Sequence, residues 1–163
     1  RDRRGLTAQW ALLALLLVLT GVGILLLEGD GGGRVLGLPP ATALMLAAGK
    51  GHAKIVEILL ERDADPDDRD ASGRTALLWA AASGNPEVLG LLLQQGADPD
   101  HQDASGTTAL MAAAIAGGEN GVKVLLDYGA DPATTDNAGR TARAWAEQRG
   151  QQAIVDLLAS AED

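Results

Sequence analysis

Asp63, Asp65, Asp67, Asp68 and Asp70 form the densest set of potential metal ligands in the chain. Alternating carboxylates are how a calcium loop gathers its oxygens. The helix–loop–helix version also needs glycine at its sixth place and a carboxylate at its twelfth. Counted from Asp63, those places hold Asp68 and Arg74, so the run is expected to be a solvated loop. His101 stands beside Asp100 and Asp103, but two histidines without any cysteine do not make a dedicated zinc site. The run Gly31-Gly32-Gly33 has the composition of a phosphate loop. No Gly-Lys-Ser/Thr follows it and no strand pattern precedes it. Ser72, Ser83, Ser105 and Ser160 fall in turns or near the terminus, without a credible base. These residues predict no enzyme, no metal and no cofactor.

The rest of the chain is organised by a fixed beat. Gly51, Gly84, Gly117 and Gly150 stand 33 residues apart, as do Thr42, Thr75, Thr108 and Thr141, and Leu59, Leu92, Leu125 and Leu158. Such a period marks a stack of one small unit, whose long surface suits binding more than catalysis. Each recurring residue has a local reason. Thr75, Thr108 and Thr141 sit where a hydroxyl can cap a helix N-terminus. Ala47, Ala80, Ala113 and Ala146 allow close helix packing. Gly96 and Gly129 follow apolar helices and suit a left-handed C-cap. Asp70, Asp103 and Asp136 precede Gly73, Gly106 and Gly139, as turns require. Leu92, Leu93, Leu125 and Leu126 supply core between units.

Two units align without a gap, ASGRTALLWAAASGNPEVLGLLLQQGADPDHQD from Ala71 and the stretch Ala104 to Asp136 containing GTTALMAAAIAGGENGVKVLLDYGADPATTD. They resemble the ankyrin repeat, with its G-x-T-P-L-H-x-A-A, G-H, V-x-x-L-L and G-A-D elements. The resemblance spans about residues 39–159. It implies an all-α solenoid of four helix-turn-helix units joined by short hairpin loops, over about 39–70, 71–103, 104–136 and 137–163. The family's proline is replaced by Ala43, Ala76, Ala109 and Ala142, and its histidine by Met45, Leu78, Met111 and Ala144. His52 holds the Gly-His position and is expected to be structural. Asp63 stands where a helix-ending glycine belongs, at a backbone cost. Gly121 replaces the Ile55, Val88 or Ile154 of other units, which predicts a loosely filled spot.

Ahead of the array, residues 1–27 form a stub and an apolar stretch, and residues 28–38 a glycine-rich tether. Thr7 to Leu27 is 21 residues without a charge. A helix of that length crosses a hydrocarbon core of about 30 Å. Trp10 suits the headgroup level, and Arg1, Arg3 and Arg4 precede the stretch. The expectation is one N-terminal transmembrane helix, its N-terminus cytoplasmic and its array outside. A cleaved signal is the rival, but its apolar region is about 7–15 residues long, and the best cleavage candidate, Gly21-x-Gly23, lies inside the run. Small residues there allow helix contacts, though no GxxxG pair is present.

Charge narrows the partner class. The 163-residue chain has a formal net charge of −9, and residues 28–163 hold 10 Lys+Arg against 21 Asp+Glu. So acidic a domain repels phosphate backbones, which excludes nucleic acid. Arginine outnumbers lysine 10 to 3 and alanine and glycine abound, a composition suggesting a GC-rich bacterium and hence a periplasmic array.

The resemblance implies protein binding through hairpin tips and the face of the first helices. By position these are Arg69, Arg74, Gln102, Thr107 and Arg140 at the tips, and Leu46, Trp79, Ser83, Ile115, Trp145 and Arg149 on the helices. Tryptophan and arginine dominate interfaces, so Trp79, Arg74 and Arg140 are the expected anchors. The expected role is a membrane-anchored interaction module, an accessory or scaffold subunit of a membrane complex at the inner membrane. The alternatives are a released periplasmic immunity-type binder and a cytoplasm-facing adaptor.

Overall fold

The computed structural model describes residues 40–162. The expected membrane helix over 7–27 and the tether over 28–38 lie outside the described residues. Among the described residues, no helix is long and apolar enough to cross a membrane, and none of the backbone is β-strand.

Among the described residues, eight short helices alternate in two layers. The first-helix layer holds α1 (Pro40–Gly49), α3 (Ala76–Ser83), α5 (Ala109–Ala116) and α7 (Ala142–Gln148). The second holds α2 (Ala53–Leu60), α4 (Pro86–Gln94), α6 (Glu119–Asp127) and α8 (Gln152–Glu162). Helix α3 packs on α5 and α5 on α7, while α2, α4, α6 and α8 pack in sequence behind them. All described residues from Ala41 onward belong to one compact unit.

Local chemistry fixes each helix end. Thr75, Thr108 and Thr141 hold extended backbone just before their helices. The hydroxyls of Thr108 and Thr141 accept hydrogen bonds from Met111 N and Ala144 N at 3.3 Å. The cap expected from Thr75 is absent, because its Oγ1 is buried without a partner. Left-handed glycines then stop the first helices, with φ of +72° at Gly84 and +78° at Gly117. Glycine has no Cβ to crowd the backbone and so adopts that conformation at little cost. Pro86 opens α4 at a position where its missing N–H is no loss.

The core lies between units. Ala80, Ala113 and Ala146 are no more than 1% exposed, so first helices meet at nearly bare backbone. Leu92, Leu125 and Leu158 are fully buried between the layers. The fourth unit replaces this pattern on its outer side. Leu44, Leu77 and Leu110 are buried, but their counterpart Arg143 is partly exposed and pairs with Glu147 and Glu162 at 3.1 Å. That side of the described array is therefore polar.

Gly121 does not leave the expected gap. A Cβ built there stands 3.2 Å from Leu89 Cδ1 and 3.8 Å from Ala113 Cβ. The preceding unit supplies the volume. The same pair of positions holds Val56 and Val88, or Val122 and Ile154, in the neighbouring units. Here a longer leucine faces a glycine, so the two sizes compensate.

Two stability outcomes follow from these positions. Leu89→Val alone should cost about 1 kcal/mol, and Gly121→Ile alone about 1–3 kcal/mol from overpacking. The double variant recreates the Val122/Ile154 pair and should recover at least about 0.5 kcal/mol of the summed loss in urea unfolding. Strict additivity would refute size compensation. Asp63 holds a φ of +60°, so Asp63→Gly should raise stability by about 1 kcal/mol in the same assay.

Candidate functional site

The acidic run is absorbed by the loops between units. Asp65 Oδ1 accepts from Asp67 N at 2.9 Å, and Asp67 Oδ1 from Asp98 N of the next unit at 2.9 Å. The motif repeats when Asp98 Oδ1 accepts from Asp100 N at 3.0 Å, and Asp100 Oδ1 from Asp131 N at 2.8 Å. Carboxylate oxygens thus satisfy loop N–H groups and tie unit to unit. Among the described residues, no group of three or more His, Cys, Asp or Glu is arranged to hold a metal ion. His101 has a structural task. Its Nε2 lies 2.7 Å from the Gly73 carbonyl oxygen, an acceptor only, so that nitrogen donates.

The hairpin tips form a continuous edge. Asp103 N donates to Thr107 O at 3.1 Å within one tip, and Ala104 N to Ser72 O at 3.0 Å across to the next. Asn137 N reaches Ser105 O in the same way, at 3.1 Å. Gln102, an expected contact residue, donates its amide to Gly106 O at 2.8 Å and to Thr135 O at 2.9 Å. Thr107 shares its hydroxyl with Ser105 Oγ at 2.9 Å. Both side chains therefore stiffen tips before any partner arrives.

Two identical triads stand on the first-helix face, 66 residues apart. In the first, Asp70 Oδ2 accepts from Arg74 Nε at 2.9 Å and from Trp79 Nε1 at 3.3 Å. The Arg74 guanidinium lies over the Trp79 ring, 4.4 Å from its centroid. In the second, Asp136 Oδ2 accepts from Arg140 Nε at 3.0 Å and from Trp145 Nε1 at 3.2 Å. There the cation sits 3.8 Å above the ring. Stacking a guanidinium on indole while a carboxylate holds both edges fixes all three side chains. The structure thus joins Arg74 to Trp79 and Arg140 to Trp145. Each of these arginines already holds a carboxylate of its own tip.

Asp70 and Asp136 are the residues that sequence reasoning left among turn formers. Their signal is an Asp, Arg, Trp spacing of four and then five residues, present twice. Burial pulls the Asp70 carboxyl upward, but bonds from the Arg74 and Ser72 N–H groups and the Arg74 guanidinium outweigh it, leaving the pKa below the ordinary 3.8. For Asp136 the Arg140 N–H is the largest influence and also lowers the value, against an opposing effect of burial.

The remaining expected residues complete the face. Leu46 is 42% exposed, an unusual state for a large aliphatic side chain in this domain. Trp79 leans on the first unit, since a Cβ at Gly49 would stand 3.0 Å from its Cε3. Ser83 donates to Trp79 O at 2.7 Å. Ile115 holds the place relative to Trp145 that Gly49 holds relative to Trp79. Arg69 and Arg149 are exposed, with no carboxylate within 4.0 Å among the described residues. Between the two tryptophans the same register holds only Ala112, so the face dips at the third unit.

A family model described as ankyrin repeats (3 copies) matches residues 16–103 and 85–163. The first match begins within the apolar stretch. No curated protein matches the chain.

Because both carboxyls titrate lower in the fold than unfolded, the stability they confer is complete above about pH 4. It is lost as pH falls through their folded values. Asp136→Asn should therefore lower the thermal midpoint at pH 7, and the gap from wild type should narrow toward pH 2. A gap that stays constant over that range would refute the assignment.

Proposed function

Since the chain belongs to the ankyrin repeat family, we propose that it is a non-enzymatic protein-binding module that grips its partner with the first-helix face and hairpin tips. The observation that carries this reading is the pair of Asp–Arg–Trp triads. Rigid aromatic and guanidinium groups lose little freedom on binding, and these are the groups that most often dominate interfaces. The tips add to it, since their cross-unit bonds present a preformed edge.

The finer reading places this module at a membrane through residues 7–27, with the array on the extracytoplasmic side, as an accessory or scaffold subunit of a membrane complex. The uncharged 21-residue run and the arginines before it support this. A tether of 11 residues reaches only about 35–40 Å, which concentrates the array near membrane-bound partners. The family match that begins at residue 16 favours a second reading, in which part of the apolar run belongs to the array.

Purification of the full chain in mild detergent, followed by identification of co-eluting proteins, tests the module. Wild type should recover a membrane-complex partner, and Arg74→Ala with Trp79→Ala should lose it while the thermal transition is retained. A lone monomer, or a partner that tolerates both changes, counts against the proposal. Alkaline carbonate extraction should leave the chain in the membrane pellet, whereas release would favour the second reading. A periplasm-dependent reporter fused after Asp163 should be active, and an inactive one would reverse the topology.

A further inference from the structure

Charge in this domain is sorted by layer. The first helices and tips, residues 41–51, 69–84, 102–117 and 135–150, carry six Lys/Arg and four Asp/Glu. The second helices and the loops that follow them, residues 52–68, 85–101, 118–134 and 151–162, carry three Lys/Arg and 14 Asp/Glu. A net of +2 on one side therefore faces −11 on the other, within a chain that is acidic as a whole.

All four carboxylates of the basic side are already engaged. Asp70 and Asp136 hold Arg74 and Arg140, and Glu147 pairs with Arg143. Asp103 Oδ1 accepts from Ser105 N at 2.8 Å and Thr107 N at 2.9 Å. The cations are not used up in the same way. Lys50, Arg69 and Arg149 have no carboxylate within 4.0 Å among the described residues. Arg74 meets Asp70 through Nε, and its terminal amino groups make no hydrogen bond among the described residues.

We infer that the occupant of this face is an acidic protein segment with a central apolar side chain. The inference rests on the reading that the first-helix face binds a protein, and it assigns the chemistry of that protein. Carboxylates of the segment meet both terminal amino groups of Arg74 and the outer one of Arg140, whose Nη2 already stands 2.9 Å from Asp136 Oδ2; the two side chains are 41% and 42% exposed. Planar guanidinium held flat on indole presents a fixed fork to carboxylate. Adjacent first helices lie about 8–10 Å apart, so the two forks, two units from each other, are about 16–20 Å apart. An apolar side chain between them drops onto Ala112, flanked by Trp79 and Trp145. The −11 side repels the same segment, which selects one face and one orientation.

Panning a random peptide library on the full chain in nonionic detergent tests this. Enriched peptides should carry Asp or Glu around a Leu, Ile or Phe. Their binding should fall about tenfold or more with Arg69→Glu plus Arg149→Glu. It should also be lost with Ala112→Trp, which places in the third unit the residue its neighbours already carry. Neutral or basic binders that Ala112→Trp blocks would overturn the acidic class and leave the face standing. Binders indifferent to Ala112→Trp would overturn the face itself, and an empty selection would overturn both.

Discussion

Everything in this domain depends on how closely one first helix approaches the next. Ala80, Ala113 and Ala146 are buried where the helices meet, and larger side chains there would push the units apart. The approach is close enough for tips to bond edge to edge and for aspartates of one loop to reach N–H groups of the next. Stability is therefore distributed along the stack as a series of neighbour contacts, as expected for a one-dimensional array.

The same closeness explains how a polar surface becomes rigid. The carboxylates of Asp70 and Asp136 close their own tips and, with the remaining oxygen, hold an arginine and a tryptophan. One residue thereby links the turn, the helix and the exposed face. The middle unit keeps the aspartate but lacks both partners, having Thr107 and Ala112 at those positions. The face consequently alternates between aromatic walls and a small-residue floor, with cations at its rim.

Much of the fold was legible in the chain because its evidence is periodic and local. The 33-residue spacing located the helices, the threonine and glycine boundaries and the left-handed Asp63. Pairings across units were harder to read. Leu89 and Gly121 lie 32 residues apart, and neither residue alone reveals that one fills the space of the other. Thr75 and Thr108 share a sequence context, yet only one hydroxyl caps its helix. The site divides similarly, since position in the repeat identified the tryptophans and arginines but not the aspartates that immobilise them.

By itself, then, the sequence determined the repeating unit, the apolar supply for its core and the acidic balance of the whole. Those properties follow from the order of residues along short segments. The tertiary structure decided which charges are spent and which remain, sorting a uniformly acidic composition into a basic face and an acidic back. That sorting requires distance in space, because a salt bridge or a cation stacked on a ring exists only where folding brings its partners within a few ångströms.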